Sequence, residues 1–496
     1  MSAKKRKRGA AAPSPDPSAW EARLQALGRG RAAYALASAA VLLPCFWQSR
    51  LQAGDLSSHL YNAWLADLIR QGAAPGLVLA RQSTNILFDW ILSALFHLAG
   101  AGMAQRISVS LAVLAFVWGA FAFVSAVSDG PAWHMLPAIA ILAYGWVFHM
   151  GFFNFYISVG LCLGALALCW HGELRNCLPA LPILAVAWMA HALPVVWAVG
   201  LAAYLWTARR LSPRQRVYLM AAALIAMILL SAVVRARITT RWFPTQFISA
   251  TGLDQVWVFD DKYLLIAAAL LLVWGMPIAG LMRQWGKRGL LSSVPFQFCV
   301  LTAFAALVFP TSVLIPGYKH SLAYIADRMS LPLTVCFCAL AAAGPTRRNL
   351  QYFAAGIAVI FFAFLFHDER AFNLFEDRME RRVEALPAGQ RVISAIDASM
   401  LRVNPLGHMI DRVCVGRCYS YANYEPSTAQ FRVRVAGESP LVVSTYADSW
   451  GLQSGTYQVK ESDLPLYQIN LDQQGRMITL SLKAGSQCGI TEFYPL

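Results

Sequence analysis

The sequence predicts an α-helical, polytopic membrane protein that carries a small soluble α+β or mostly β domain at its C-terminal end. Three observations predict it. Of the 496 residues, 58% are apolar and 14% are charged, with a mean hydropathy of +0.50, whereas soluble globular chains carry about 25% charged residues. The apolar residues gather into runs of about 15 to 22, broken by short polar or Pro/Gly punctuation, which is the length that crosses a hydrocarbon core about 30 Å thick. The texture then changes abruptly at His367-Asp368-Glu369-Arg370, beyond which the long apolar runs cease.

Residues 1–31 are polar and Pro/Ala-rich and contain Lys4-Lys5-Arg6-Lys7-Arg8. Such a run can bind nucleic-acid phosphates, but its place ahead of the first apolar run suits a cytoplasmic anchor. No nucleic-acid partner is expected. Spans are expected at 32–51, 106–127, 133–150, 153–171, 178–190, 192–206, 217–234, 262–282, 294–315, 329–343 and 350–366. The 178–206 stretch reads either as one overlong helix or as two short ones meeting at His191-Ala192-Leu193-Pro194. Charge decides between these. With the stretch split, Arg175, the Arg209/Arg210/Arg214/Arg216 loop, Arg283/Lys287/Arg288 and Arg347/Arg348 all share the side of the N-terminus, as the Lys/Arg bias of cytoplasmic loops requires. The expectation is therefore eleven spans over 32–366, with the N-terminus cytoplasmic and the loop 52–105 and the tail 367–496 on the outer face.

The tail opens with a charged, helical stretch through Glu384 and then turns strand-like, with candidate strands at 390–396, 430–435, 441–445 and 477–482 between Gly, Pro, Asn and Asp punctuation. Of the ten cysteines, seven lie in or beside apolar runs, where a thiol acts as a small hydrophobe. Cys414 and Cys418 are candidates for a disulfide in an oxidising compartment, the alternative being two buried thiols. No cysteine spacing fits a zinc site.

Candidate chemistry concentrates directly after the first span. In the stretch 54–68, Leu56, Leu60, Trp64 and Leu68 form an apolar stripe if helical, with Asp55, His59 and Asn62 opposite, as in a helix lying on a bilayer surface. Asp55 and His59 are four apart and within mutual reach. Asp55 has two readings: a helix N-cap, or a catalytic or binding carboxylate. Asp89, in an apolar stretch, is a second candidate acid or a structural hydrogen-bonding group. His149, Asn154 and His191 fall near outer ends of spans, as interhelical hydrogen-bonding groups or substrate contacts. Arg235, Arg237, Arg241, Lys319, His320 and Arg328 place cations on the expected outer face, against the positive-inside trend and suited to phosphate. Asp260-Asp261 reads as solvated acids rather than a metal pair.

A carboxylate just after the first span, followed by His149-Met150-Gly151-Phe152-Phe153-Asn154-Phe155, the Gly160–Leu168 run and His191-Ala192-Leu193-Pro194, resembles the GT-C glycosyltransferase superfamily, in particular a group of bacterial multi-span proteins. The resemblance covers most of the membrane part. It implies a bacterial inner-membrane protein with a periplasmic C-terminal domain. It also implies transfer of a sugar from a polyprenyl-phosphate-linked donor to a glycan, lipid or protein acceptor, with Asp55 as catalytic carboxylate, His59 supporting it and Arg328 at the carrier phosphate. Many members pair two acids at this point, whereas here Asp55 is followed by Leu56-Ser57-Ser58, so a divalent metal has no support and no cofactor is expected. The competing expectation is a transporter, flippase or envelope-polymer assembly protein. Such a protein would place charges at mid-membrane depth, whereas the ionisable residues here gather at the outer boundary.

Overall fold

A backbone in hydrocarbon can hydrogen-bond only to itself, so apolar runs of this length fold as helices. A computed structural model describes residues 30–172, 174–345 and 348–493. The basic run Lys4-Lys5-Arg6-Lys7-Arg8 and Arg347 lie outside the described residues. The chain is mostly helical with a small C-terminal strand region. Among the described residues, five helices are long and apolar enough to cross a membrane: Leu87–Val127, Pro213–Arg237, Asp261–Leu291, Ile325–Ala342 and Arg348–Glu384. Shorter apolar helices occupy Arg31–Cys45, Phe153–Cys169, Ala180–Ala190, Ala192–Ala208 and Val294–Val308.

Several boundaries differ from expectation for identifiable reasons. The helix that contains 106–127 begins nineteen residues earlier, at Leu87, and breaks at Gly100, where φ is 73°. The expected span 133–150 is divided into Trp133–Met135, Leu136–Ala143 and Trp146–His149 by an extended Gly145. At 178–206 the chain reverses at His191, whose backbone is extended at φ −164°. Ile86 N donates to Met189 O near this reversal, while the Arg209 guanidinium returns to lie 5.4 Å from the Trp170 ring. Close approach between the Leu87–Val127 and Phe153–Cys169 helices depends on paired glycines: a Cβ at Gly119 would stand 1.9 Å from Gly160 O, the small-residue packing of membrane helices.

The last helix, Arg348–Glu384, runs 37 residues without a break, about 55 Å at 1.5 Å per residue. That exceeds a bilayer core of about 30 Å. Its far half reaches the C-terminal region, where the strands gather. In chain order these are β1 Leu77–Leu79, β2 Thr239–Arg241, β3 Ser312–Leu314, β4 Arg391–Ser394, β5 Ile396–Asp397, β6 Tyr419–Ser420, β7 Val433–Val435, β8 Leu466–Leu471, β9 Met477–Ser481 and β10 Thr491–Glu492. The principal sheet has the order β6-β4-β8-β9, with β4 parallel to both neighbours and β8-β9 an antiparallel pair. The expected strand at 441–445 is irregular, Val443 N donating instead to Tyr421 O. Helices at Met409–Cys414 and Tyr446–Gln453 complete a mixed α+β arrangement. Cys414 and Cys418 are joined as a disulfide.

The tail is continuous with what precedes it, residues 44–496 forming one compact unit. β1, from the loop after the first apolar run, pairs antiparallel with β7 of the tail, Leu77 opposite Val435. The Leu56–Arg70 helix is consequently covered on both sides and does not lie on a bilayer surface: Leu56, Leu60 and Leu65 are buried, and so are Ser58 and Asn62. Tyr61 accepts from Ser420 N at 2.9 Å, Asn62 from Asn423 at 2.9 Å, and the Trp64 ring stacks on Tyr419. The firmest tie is electrostatic. Arg412 of the tail donates Nε to Glu376 Oε1 at 2.7 Å and Nη2 to Glu376 Oε2 at 2.5 Å, both side chains being buried. Arg412 also donates to Leu51 O, and Gln52 donates to Glu376 Oε2 at 2.8 Å.

Removing one member of a buried, bidentate pair leaves the other charge uncompensated, at a cost of about 3–5 kcal/mol. Arg412→Ala should therefore lower the thermal transition of the purified protein sharply, and Arg412→Lys should recover only part of the loss because an ammonium cannot reproduce the fork. An unchanged transition in Arg412→Ala would show that the tie is dispensable.

Candidate functional site

Asp55 is positioned through its backbone. Gly54 N donates to His149 O at 2.7 Å and Asp55 N to Met150 O at 3.0 Å. The turn that presents those carbonyls needs Gly151 at φ 83°, where a Cβ would come within 2.6 Å of Asp55 N. Asp55 occupies the N-cap position of the Leu56–Arg70 helix, yet its side chain accepts no cap hydrogen bond. The capping reading therefore does not account for its carboxylate. That carboxylate, about one quarter exposed, opens into a cavity of about 450 Å³.

Three parts of the chain wall this cavity. The apolar helices contribute Phe152, Asn154, His191 and Arg328; the loop contributes Asp55 and His59; the tail contributes Asn404, His408, Tyr424, Glu425 and Trp450. His408 Nε2 lies 3.9 Å from Asp55 Oδ1, while its Nδ1 meets Asp411 Oδ2 at 3.1 Å. Burial disfavours charge on His408, but the hydrogen bond and charge of Asp411, with Asp55 and Glu425, outweigh burial and raise its pKa. The Arg328 guanidinium lies 3.7 Å from the Phe152 ring centroid, and its Nε is buried without a hydrogen-bond partner in the protein. Tyr424 packs between His408 and His320, at 5.2 and 6.2 Å. The arrangement is a carboxylate able to take a proton, beside cations able to stabilise an anion.

His59 pairs with Asp89 rather than with Asp55. His59 Nδ1 lies 2.8 Å from Asp89 Oδ1, and Asn154 donates to Asp89 Oδ2 at 2.9 Å while accepting from Phe88 N. Burial opposes the His59 charge, but Asp89 overrides it and raises the pKa to about 9. Glu425 accepts from Ser58 at 3.1 Å, and burial, only partly offset by the His59 charge, raises its pKa to about 7.

Asp55, His59, Asn154, His191, His320 and Arg328 thus come together from the expected set. The others do not. Asp89 stands behind His59. His149 is fully buried away from the cavity, held by Gly145 O and Glu369. His191 meets the cavity but also caps the following helix, accepting from Leu193 N. Arg235 donates to Val308 O, and Arg237 and Lys319 are exposed elsewhere. Arg241 lines a neighbouring cavity of about 520 Å³. Asp260 caps Lys262 N and pairs with Lys262 Nζ, which reaches Asp368. Sequence reasoning missed Arg402, His408, Tyr424 and Glu425, which lie in turns and short helices that a strand-oriented reading treats as connections. The i, i+3 spacing of His408 and Asp411 was the available signal.

Comparison with protein families, curated proteins and solved structures gives no match. The fold and the site therefore define a class only: a helical protein with membrane-length apolar helices and a cavity shared between those helices and a C-terminal α+β region.

Two measurements probe this geometry. A His59 pKa raised from 6.5 to about 9 contributes stability that is fully present below pH 6.5 and lost as pH climbs through about 9. Histidine NMR should show His59 protonated at pH 8, and Asp89→Asn should leave it neutral there. Gly151→Ala should lower thermal stability by about 1–3 kcal/mol, since a Cβ meets the Asp55 backbone in a left-handed conformation; no change would refute the clasp.

Proposed function

We propose that this protein is a GT-C-type membrane glycosyltransferase that moves a sugar from a polyprenyl-phosphate-linked donor to an acceptor on the outer face of a bacterial inner membrane. The observation that carries the reading is the uncapped Asp55 carboxylate, facing His408 and Arg328 in a cavity between apolar helices and the tail. Asp55 takes the proton of the acceptor nucleophile, which attacks the anomeric carbon. The new bond to the acceptor forms as the bond from that carbon to the phosphate oxygen breaks. The electron pair leaves with the lipid phosphate, whose charge the cations meet. The acceptor is a glycan, lipid or protein presenting a hydroxyl or amide, and the C-terminal residues Tyr424 and Trp450 offer it ring surfaces.

The reading includes eleven membrane passes with the tail outside. The extended backbone at His191 supports it, since it divides 178–206 into two helices instead of one overlong one.

Purified protein should turn over one of a panel of polyprenyl-phosphate sugars, and Asp55→Asn should lose about 10²–10⁴-fold of that rate, the usual worth of general base catalysis. Equal turnover in the two would remove Asp55 from the chemistry. Cys414 and Cys418 are too buried for topology labelling; a Gln474→Cys variant, exposed in the tail, should react with an impermeant maleimide from outside intact cells only. Labelling solely after the membrane is opened would overturn the orientation.

A further inference from the structure

The second cavity touches the first. Ser321, Ala323, Tyr324 and Arg402 line both. Its walls are of two kinds. At one side stand Phe243 and Ile248, large apolar residues left exposed on the segment after Pro213–Arg237. At the other, Arg402 lies with its guanidinium 4.5 Å from the Trp257 ring and 5.8 Å from Trp146. Stacking on rings fixes the plane of an arginine and leaves its edge to bind.

That edge is unsatisfied. Among the described residues, Arg402 Nε and Trp257 Nε1 are buried donors with no hydrogen-bond partner, and so is Arg328 Nε across the shared wall. Buried donors without acceptors are rare and call for an explanation. The acids nearby do not supply it. Asp327 accepts from Ser249 and Thr311 at 3.2 and 3.0 Å, occupying both its oxygens. Asp254 accepts from Ser330 at 2.9 Å and stands 3.7 Å from Arg402 Nη2, too far for a hydrogen bond. Arg241, exposed at the end of β2, adds a further cation to the same cavity.

Arg402 and Trp257 line this cavity and Arg328 lines the one it touches; such donors suit an acceptor-rich anion, and the exposed apolar side chains in the same lining suit a hydrocarbon chain. We infer that the second cavity is the docking site for an isoprenoid lipid phosphate. Its phosphate sits at the edge of Arg402, reached also by Arg328 and the Trp257 N–H. Its first isoprene units lie against Phe243 and Ile248, and whatever the phosphate carries projects past Tyr324 into the Asp55 cavity. This assignment rests on the transfer reading above and names the donor site within it. Arg402, supplied by the tail, is a phosphate-binding residue that no apolar helix provides.

Binding of radiolabelled long-chain polyprenyl phosphate to the full chain in detergent tests the site without requiring turnover, with the matching polyprenol and inorganic phosphate as competitors. The expected result is binding that is weakened at least tenfold in Arg402→Ala, partly recovered in Arg402→Lys, weakened less in Arg241→Ala, and unchanged in Asp55→Asn. The polyprenol and inorganic phosphate should each compete at least tenfold more weakly than the lipid phosphate. Because Arg402→Ala could fail by misfolding, a photoactivatable polyprenyl phosphate is also crosslinked to the wild-type protein, where it should label the peptide containing Phe243 and Ile248. Undiminished binding in Arg402→Ala, or crosslinks confined elsewhere, overturns the site while leaving transfer by Asp55 standing. Competition by inorganic phosphate as strong as that of the lipid overturns the apolar half of the assignment. Lipid phosphate held at this site by a wild-type protein that transfers no sugar overturns the transfer reading and keeps the site; no binding of lipid phosphate overturns the assignment.

Discussion

Glu376 is fully withdrawn from solvent, and the geometry of the cavity depends on how its charge is met. One oxygen takes Arg412 Nε, the other takes Arg412 Nη2 and Gln52 Nε2. Arg50 Nε stands 3.6 Å away and turns its guanidinium to Asp377 and Glu380. The sequence positions matter: Gln52 lies three residues before Asp55, and Arg412 lies four after His408. A carboxylate on the last long helix thereby fixes the two sides of the cavity against each other. A desolvated ion pair adds little net stability over a hydrophobic contact of the same shape. What it adds here is register, because only one arrangement of Gln52, Glu376 and Arg412 satisfies all three.

Around this anchor the polar groups divide into those that are spent and those that are not. His149 and Glu369, His59 and Asp89, Asp327 and its two hydroxyls, and Asp411 with Ser420 are all matched with each other. Asp55, Arg328 and Arg402 are not matched by any direct hydrogen bond from a side chain. All three line the first cavity, so the groups left open there share one space.

Much of this was legible in sequence because hydrophobic runs dictate helices directly. Most apolar stretches fold as helices, although the one expected at 106–127 begins nineteen residues early and the one expected at 350–366 runs on to Glu384, and the charge asymmetry of the loops favours the division that the extended backbone of His191 makes. The Leu56–Arg70 helix was found, but its surroundings were not: its polar face reads as solvent-facing, and only the pairing of β1 with β7 reveals that another layer of protein lies over it. His59 was matched to Asp55 by helical spacing, whereas a neighbour thirty residues away in sequence had the better geometry. Spacing rules see contacts within an element and are blind to those between elements. For the same reason His149 and Asn154 read as interhelical hydrogen-bonding groups or substrate contacts, with no partner named. In the structure Met150 O accepts from Asp55 N, the Phe152 ring lies against Arg328 and Asn154 donates to Asp89, three contacts made by alternate residues where one helix ends and the next begins.

The pairing of β1 with β7 bears on how the molecule is made. Leu77 must wait for Val435, so a strand synthesised early spends most of translation without its partner. The cavity closes only after residues beyond Glu425 have emerged. A chain cut short before Arg402 keeps its apolar helices and its Asp55 but lacks His408, Tyr424, Glu425 and Trp450 from the cavity wall. That wall is thus among the later parts of the molecule to be laid down.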